Sequence, residues 1–307
     1  MSRGEWRAFA MTVTPFDESG RLDEAATRAH LRRIADAGHG VYVGGVGHGE
    51  GRHLTRTEMR RLMTIAVDEL KGRVPVRASS LDPFNAAEAL EMIDLARDTG
   101  VDAVQVYSPL APGATPFELE AYFSEVLSGS KMPVVVSIHH HVGYEIPLSL
   151  VKRLVERYDH IVTINTTFAD EQLLDAVGEK VDVHVADASA ILSHFAFGGR
   201  GFVSAEANIV PNLCRSFVNA AERGDWNSLR DAYARIARLA KFLKGPVRMG
   251  ADAYPRFASA RGVKGALEVL GLPGGYPRSP QIRVTEDEKR LLRQQLDELD
   301  IRRLEAG

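Results

Sequence analysis

Short, nearly unbroken apolar runs alternate with longer stretches of helical periodicity over most of the chain. Eight runs predict strands: Ala8–Val13, Val41–Gly45, Val74–Ser79, Val101–Tyr107, Val134–Ile138, Ile161–Ile164, Val181–Val185 and Gly201–Ser204. Continuous rather than alternating hydrophobicity is the pattern of parallel strands covered on both faces. The intervening stretches carry helix-start signals. Thr55 with Glu58 and Thr115 with Glu118 have the spacing of capping boxes. Asp82-Pro83 and Thr115-Pro116 supply a capping side chain followed by proline at the first helical position. Gly72 and Gly100 stand where helices end.

Eight strand-then-helix units in sequence predict a (β/α)8 TIM barrel, α/β in class, over residues 1–224. A doubly wound sheet is the second choice. Its nucleotide fingerprint is missing, since "GGVGHGEG" follows the second strand and has the wrong spacing. From Asp225 the chain reads as helices only: "DWNSLRDAYARIARLAKFL", "GVKGALEVLG" and "TEDEKRLLRQQLDELDIRRL", the last opened by a Thr285/Glu288 capping box. Residues 225–307 are therefore expected to form a C-terminal helical region, and no low-complexity linker separates it from the barrel.

Composition narrows the partners. With 45% hydrophobic and 26% charged residues and a net charge of −3, the chain has no basic footprint for nucleic acid or an anionic membrane. The lone cysteine, Cys214, excludes an internal disulfide and fits a reducing compartment. The N-terminal segment has no apolar run suited to a signal peptide or membrane span, so a cytoplasmic protein is expected.

Four segments, "TVTPFDESGRLD" (Thr12–Asp23), "GHGEGRHLT" (Gly47–Thr55), "GRGFVSAEANIVP" (Gly199–Pro211) and "VKGALEVLGLPGGYPRSP" (Val263–Pro280), resemble, in order, landmarks of the dihydrodipicolinate synthase/N-acetylneuraminate lyase family. The resemblance runs from about Ala10 to the C-terminus. It implies a TIM barrel with a C-terminal helical domain, a homo-oligomer (tetramer or dimer), and lyase chemistry on small 2-oxo acids such as pyruvate. In that family a lysine at the end of the sixth strand forms a Schiff base, which acts as electron sink. Here "HIVTINTTFAD" places Asn165 at the matching position. An amide nitrogen is not a nucleophile, and Lys131 and Lys180 precede strands five and seven, at the wrong end of the barrel.

Other family features change with it. Ser137 stands at the place of the proton-relay tyrosine, and Gly47 and His48 at that of a hydroxyl pair. Leu110 and Ala111 occupy the place of two tyrosines, and the arginine that binds the substrate carboxylate has no clear counterpart. The family's catalytic set is therefore not carried over. The scaffold is expected without Schiff-base catalysis.

Three consecutive histidines follow the fifth strand in "VVVSIHHHVGYEIP". Strand alternation puts Ser137 and His139 on one side, with His141 continuing that phase. One reading is metal-free acid/base chemistry by His48, His139 and His141, with Ser137, Asn165 and Thr167 as hydrogen-bonding groups for an enolate or carboxylate. On this reading no metal or cofactor is required. A second reading is a divalent-metal site built on His139 and His141, completed by His48, Glu50 or Asp187. A third is a catalytically silent relative that binds a small ligand.

Gly47, Thr167, Asp187, Val203 and Ser204 are the expected substrate-binding residues; the resemblance puts Val203 where the family presents a backbone carbonyl to the substrate. For Asp187, capping the helix that follows is the preferred reading over a ligand role. Glu50 reads as a carboxylate bracing its loop. His39, His53, His160, His184 and His194 read as structural or surface residues.

Overall fold

A computed structural model describes residues 7–79, 85–109, 114–138, 146–244 and 260–305. The strands are β1 (Arg7–Met11), β2 (Gly40–Val43), β3 (Val76–Ser79), β4 (Ala103–Tyr107), β5 (Val134–Ser137), β6 (Ile161–Thr166), β7 (Asp182–Val185) and β8 (Gly201–Ser204). They are parallel and close in chain order, β8 pairing with β1. The doubly wound alternative is thus excluded. The apolar runs located every strand. Most extend one or two residues beyond the ladder, and β6 is longer than expected because Asn165 and Thr166 continue it.

Between the strands lie α1 (Glu24–Asp36), α2 (Arg56–Leu70), α3 (Ala86–Thr99), α4 (Pro116–Gly129), α5 (Leu148–Arg157), α6 (Glu171–Val177) and α7 (Ile191–Ala196). After β8 come α8 (Pro211–Arg223), α9 (Trp226–Lys244), α10 (Ala260–Leu270), α11 (Glu286–Glu298) and α12 (Ile301–Glu305). The capping boxes of Thr55/Glu58, Thr115/Glu118 and Thr285/Glu288 all form. Two expectations need correction. Asn85, not Asp82, caps α3, its side chain accepting from the Glu88 N–H at 2.9 Å; Asp82 and Pro83 lie outside the described residues. The last helix is broken in two at Asp300, which adopts φ 58°, a left-handed geometry that ends a helix even without glycine.

Two apolar cores result. The larger lies between the strands and the helical layer and takes Val41, Val43, Val104, Val106, Val136, Ile164, Val185 and Phe202 from the strands. The smaller fills part of the barrel axis with Phe9, Tyr42, Ala103, Val135 and Val203. Cys214 is buried in α8.

One irregularity aims the site. Val134 pairs with Ile161, but Val135 pairs with Thr163, so β6 carries an extra residue. Strict alternation from Val162, which packs on the inner core, would turn Ile164 inward and Asn165 outward. The bulge reverses that phase: Ile164 joins the outer core and Asn165 reaches the axis.

Candidate active site

The inward positions at the C-terminal halves of the central strands are polar. Ser79 pairs in register with Gln105, Tyr107 with Ser137, and Ser137 with Asn165, so these side chains share one stretch of the barrel wall. All five are buried. Ile138 packs against the outer core and its N–H donates to the Asn165 carbonyl at 2.8 Å, which leaves Ser137 on the axial side, as alternation requires.

Asn165 is the centre of the set. Its Nδ2 donates to Gln105 Oε1 at 3.0 Å and to the Tyr42 hydroxyl at 3.3 Å. The same hydroxyl accepts from Arg77 at 2.8 Å. Burial pushes the Tyr107 phenol up, partly offset by a hydrogen bond with Ser79. Among the described residues, Gln105 Nε2, Ser137 Oγ, Thr163 Oγ1 and Asn165 Oδ1 are buried without a hydrogen-bond partner. Buried polar atoms are nearly always paired, so a donor, an acceptor and two hydroxyls left unpaired in one barrel mark a place for a polar guest.

The remaining expected site residues are dispersed. His48 is half-buried and Gly47 exposed in the loop after β2, and Thr167 is half-buried just after β6. Asp187 caps the turn Ala188–Ala190, accepting from the Ser189 N–H at 2.9 Å and its hydroxyl at 2.7 Å, in line with the capping alternative. The side chain of Val203 belongs to the inner apolar core, so only its backbone is left for a ligand. Ser204 alternates with Val203 and faces the helical layer. Its hydroxyl donates to Glu206 Oε2 at 2.8 Å and accepts from the Ala207 N–H at 3.2 Å, so its side chain is not part of the axial wall. His139 and His141 lie outside the described residues, as do Leu110 and Ala111. Among the described residues no group of three or more His, Cys, Asp or Glu could hold a metal ion.

Tyr42, Arg77 and Gln105 were not among the expected residues. Each is a polar residue set within a largely apolar strand ("GVYV", "VRAS", "AVQVY"), a signal that reading the runs as uniformly hydrophobic passes over. His184 also faces the axis, its ring 5.5 Å from that of Phe9, rather than the helical layer. His39 and His194 are structural, bonding the Pro211 and Val183 carbonyls.

Glu50 braces its loop as expected and does more. It is buried in a left-handed conformation (φ 50°) and accepts the Arg278 N–H at 3.0 Å on Oε1, while Oε2 takes the ammonium of Lys264. Lys264 also donates to the Tyr276 carbonyl at 2.8 Å, and Lys264 and Arg278 both lie against the Phe16 ring. The pair joins the loop after β2 to α10.

Fold and site together define an enzyme class: a TIM barrel whose polar residues gather towards the C-terminal ends of its strands, where such barrels carry their chemistry. The profile of the dihydrodipicolinate synthetase family matches residues 6–299, and the chain belongs to that family. It is similar to the 4-hydroxy-tetrahydrodipicolinate synthase of Methylobacterium radiotolerans, 32% identical over 91% of each chain. The enzyme of the same name from Methanopyrus kandleri is 29% identical over 94% of each chain. A crystal structure of dihydrodipicolinate synthase from Bacillus anthracis superposes with a TM-score of 0.84 at 25% identity, covering 96% of this chain and 98% of that one. The protein is thus an enzyme of a lyase family. No helix among the described residues is long and apolar enough to cross a membrane.

Proposed function

We propose that this family member is a lyase for a small oxo- or hydroxy-acid-like substrate that works without a Schiff base. The observation that carries the reading is the setting of Asn165. It stands where the family resemblance places the lysine, is turned to the axis by the bulge, and is held there by Gln105 and Tyr42. Among the described residues no group in the axial wall can act as an amine nucleophile. Lys71, Lys131, Lys152, Lys180 and Lys241 are exposed, Lys264 is tied to Glu50, and Lys289 pairs with Glu268 and Glu286.

The chemistry then resembles an enolate mechanism. In aldol cleavage a base takes the proton of the β-hydroxyl, the carbon–carbon bond breaks to give an aldehyde and an enolate, and an acid returns a proton to the enolate carbon. Histidine titrates in the useful range, and His48, His139 and His141 are the proposed acid/base groups. Ser137 Oγ and Gln105 Nε2 supply donors to an enolate or carboxylate oxygen, while Asn165 Oδ1 can accept from a substrate hydroxyl. Thr167, Gly47 and the Val203 carbonyl are proposed to complete the substrate contacts.

The test is a screen of 2-oxo acids and their aldol adducts for binding and cleavage, repeated with Asn165→Ala and Ser137→Ala. Losing one such hydrogen-bonding group is expected to lower kcat by roughly 10²-fold. Unchanged turnover in Asn165→Ala would refute the assignment.

A further inference from the structure

At the opposite, N-terminal end of the barrel the strands open into a cavity of ≈ 800 Å³, lined among others by Arg77, Asp182, His184, Arg200 and Gly201. Arg77 is its deepest cation and is unusual for a buried charge. Its residue is 3% exposed. Among the described residues its one hydrogen bond goes to the Tyr42 hydroxyl, and no carboxylate there forms an ion pair with it. Lys264, the other cation buried to this degree among the described residues, holds Glu50. A guanidinium withdrawn from water without a counter-ion is costly to keep.

The surroundings of Arg77 select a ligand type. The guanidinium carbon sits 4.2 Å over the Phe9 ring, so one flat face is covered by an aromatic surface; Arg77 lines the cavity, and the N–H groups not used on Tyr42 have no protein partner among the described residues. A stacked guanidinium with an open edge matches the paired oxygens of a carboxylate or phosphate. The inner wall leaves little width: the Phe9 ring occupies the space over Gly40, and the His184 ring that over Gly201. Asp102, Asp159, Glu179 and Asp182 line the same cavity with Lys180 and Arg200, and among the described residues none of these carboxylates pairs with Arg77, so an anion would be drawn by the Arg77 guanidinium itself rather than by the charge of the lining as a whole.

We infer that the N-terminal mouth of the barrel is a second binding site, distinct from the proposed active site, which takes a small oxyanion (a carboxylate or inorganic phosphate) on the edge of Arg77. Calorimetric titration of the full-length protein with inorganic phosphate, and separately with malonate, tests this without any substrate of the other face. Saturable binding at one site per chain is expected. The stronger of the two probes tells a phosphate ligand from a carboxylate one.

Arg77→Met keeps the stacking on Phe9 and removes the charge, and should weaken binding by about tenfold to a hundredfold. Asp182→Asn removes the nearby carboxylate and should tighten binding. It also keeps the proposal open to refutation should Arg77→Met fail to fold. Ser137→Ala, at the other end, should leave the affinity unchanged. No binding of either anion in the millimolar range, or equal affinities in wild type, Arg77→Met and Asp182→Asn, would overturn the inference.

Discussion

Arg77 and Asn165 meet on a single atom: each donates to the hydroxyl oxygen of Tyr42, at 2.8 and 3.3 Å. The cationic floor of the barrel and the amide near its catalytic end are thereby joined through one phenol. Gln105 Oε1 takes the other proton interaction of Asn165 at 3.0 Å. Such a buried chain fixes the rotamers of its members, because each unmade bond would leave a desolvated polar group behind.

Asn165→Ala should therefore damage stability as well as turnover. It strips Gln105 Oε1 and the Tyr42 hydroxyl of a donor in a water-poor interior, for an expected loss of about 1–3 kcal/mol. The urea unfolding midpoint, compared with Ser137→Ala, checks this. Ser137 Oγ has no partner among the described residues, so its removal should cost little stability. Equal midpoints for Asn165→Ala and wild type would mean that the chain is not formed.

The Glu50–Lys264 pair predicts a strongly non-additive cycle. Both groups are buried, so removing either partner isolates a charge. Glu50→Gln or Lys264→Met alone should destabilise by ~3–5 kcal/mol, and the double variant by clearly less than the two combined. Chemical denaturation of the four proteins decides it. Additive losses would show that the two groups do not sense each other.

Acid should weaken the fold before the carboxylates titrate. Burial holds the His30 and His39 imidazoles down at about 4, although hydrogen bonds with Asn208 Oδ1 and the Pro211 carbonyl partly oppose it. Asn208 Oδ1 also accepts the Val13 N–H at 3.0 Å, so His30 Nε2 is the donor in that bond. In the unfolded chain both rings titrate near 6.5. Between about 6.5 and 4 the unfolded chain takes up protons that the fold refuses, so stability is complete above this window and is lost as pH falls through it. Each ring is expected to contribute roughly 2–3 kcal/mol to that loss. Unfolding midpoints at pH 7 and pH 5 measure it, and His39→Gln should flatten the slope. A flat profile in wild type would contradict the burial of these rings as neutral groups.

How much of this could be read in advance depended on the range of the forces involved. Strand runs and the three capping boxes are local, set by neighbours within a few residues, and they placed the barrel and most helix starts. The β6 bulge is not local. Nothing in "IVTINT" announces that Val162 and Thr163 together face one residue of β5, yet that is what turns Asn165 inward. The bond between Glu50 and Lys264 spans 214 positions, and the sequence offered only the carboxylate half of it. Tyr42, Arg77 and Gln105 were legible in principle, as polar members of apolar strands, but what they do depends on meeting across the barrel axis.

Acid/base chemistry by histidines needs no bound ion, so lyase activity should survive prolonged chelation. Metal analysis of protein purified without an affinity tag should find no stoichiometric zinc, manganese or iron. Activity lost to chelator and restored by one divalent ion, with the ion absent from a His139→Ala/His141→Ala variant, would instead make the histidine run a ligand set.

The most direct test of the central claim is borohydride trapping with a 2-oxo acid, beginning with pyruvate and extended to whichever acid calorimetry shows to bind. An iminium is reduced to a stable amine and leaves an adduct on lysine; an enolate held by hydrogen bonds leaves none. The expected result is saturable binding with an unchanged intact mass after reduction. A stoichiometric adduct mapped to any lysine of the barrel would show that the Schiff base persists and that Asn165 does not replace it.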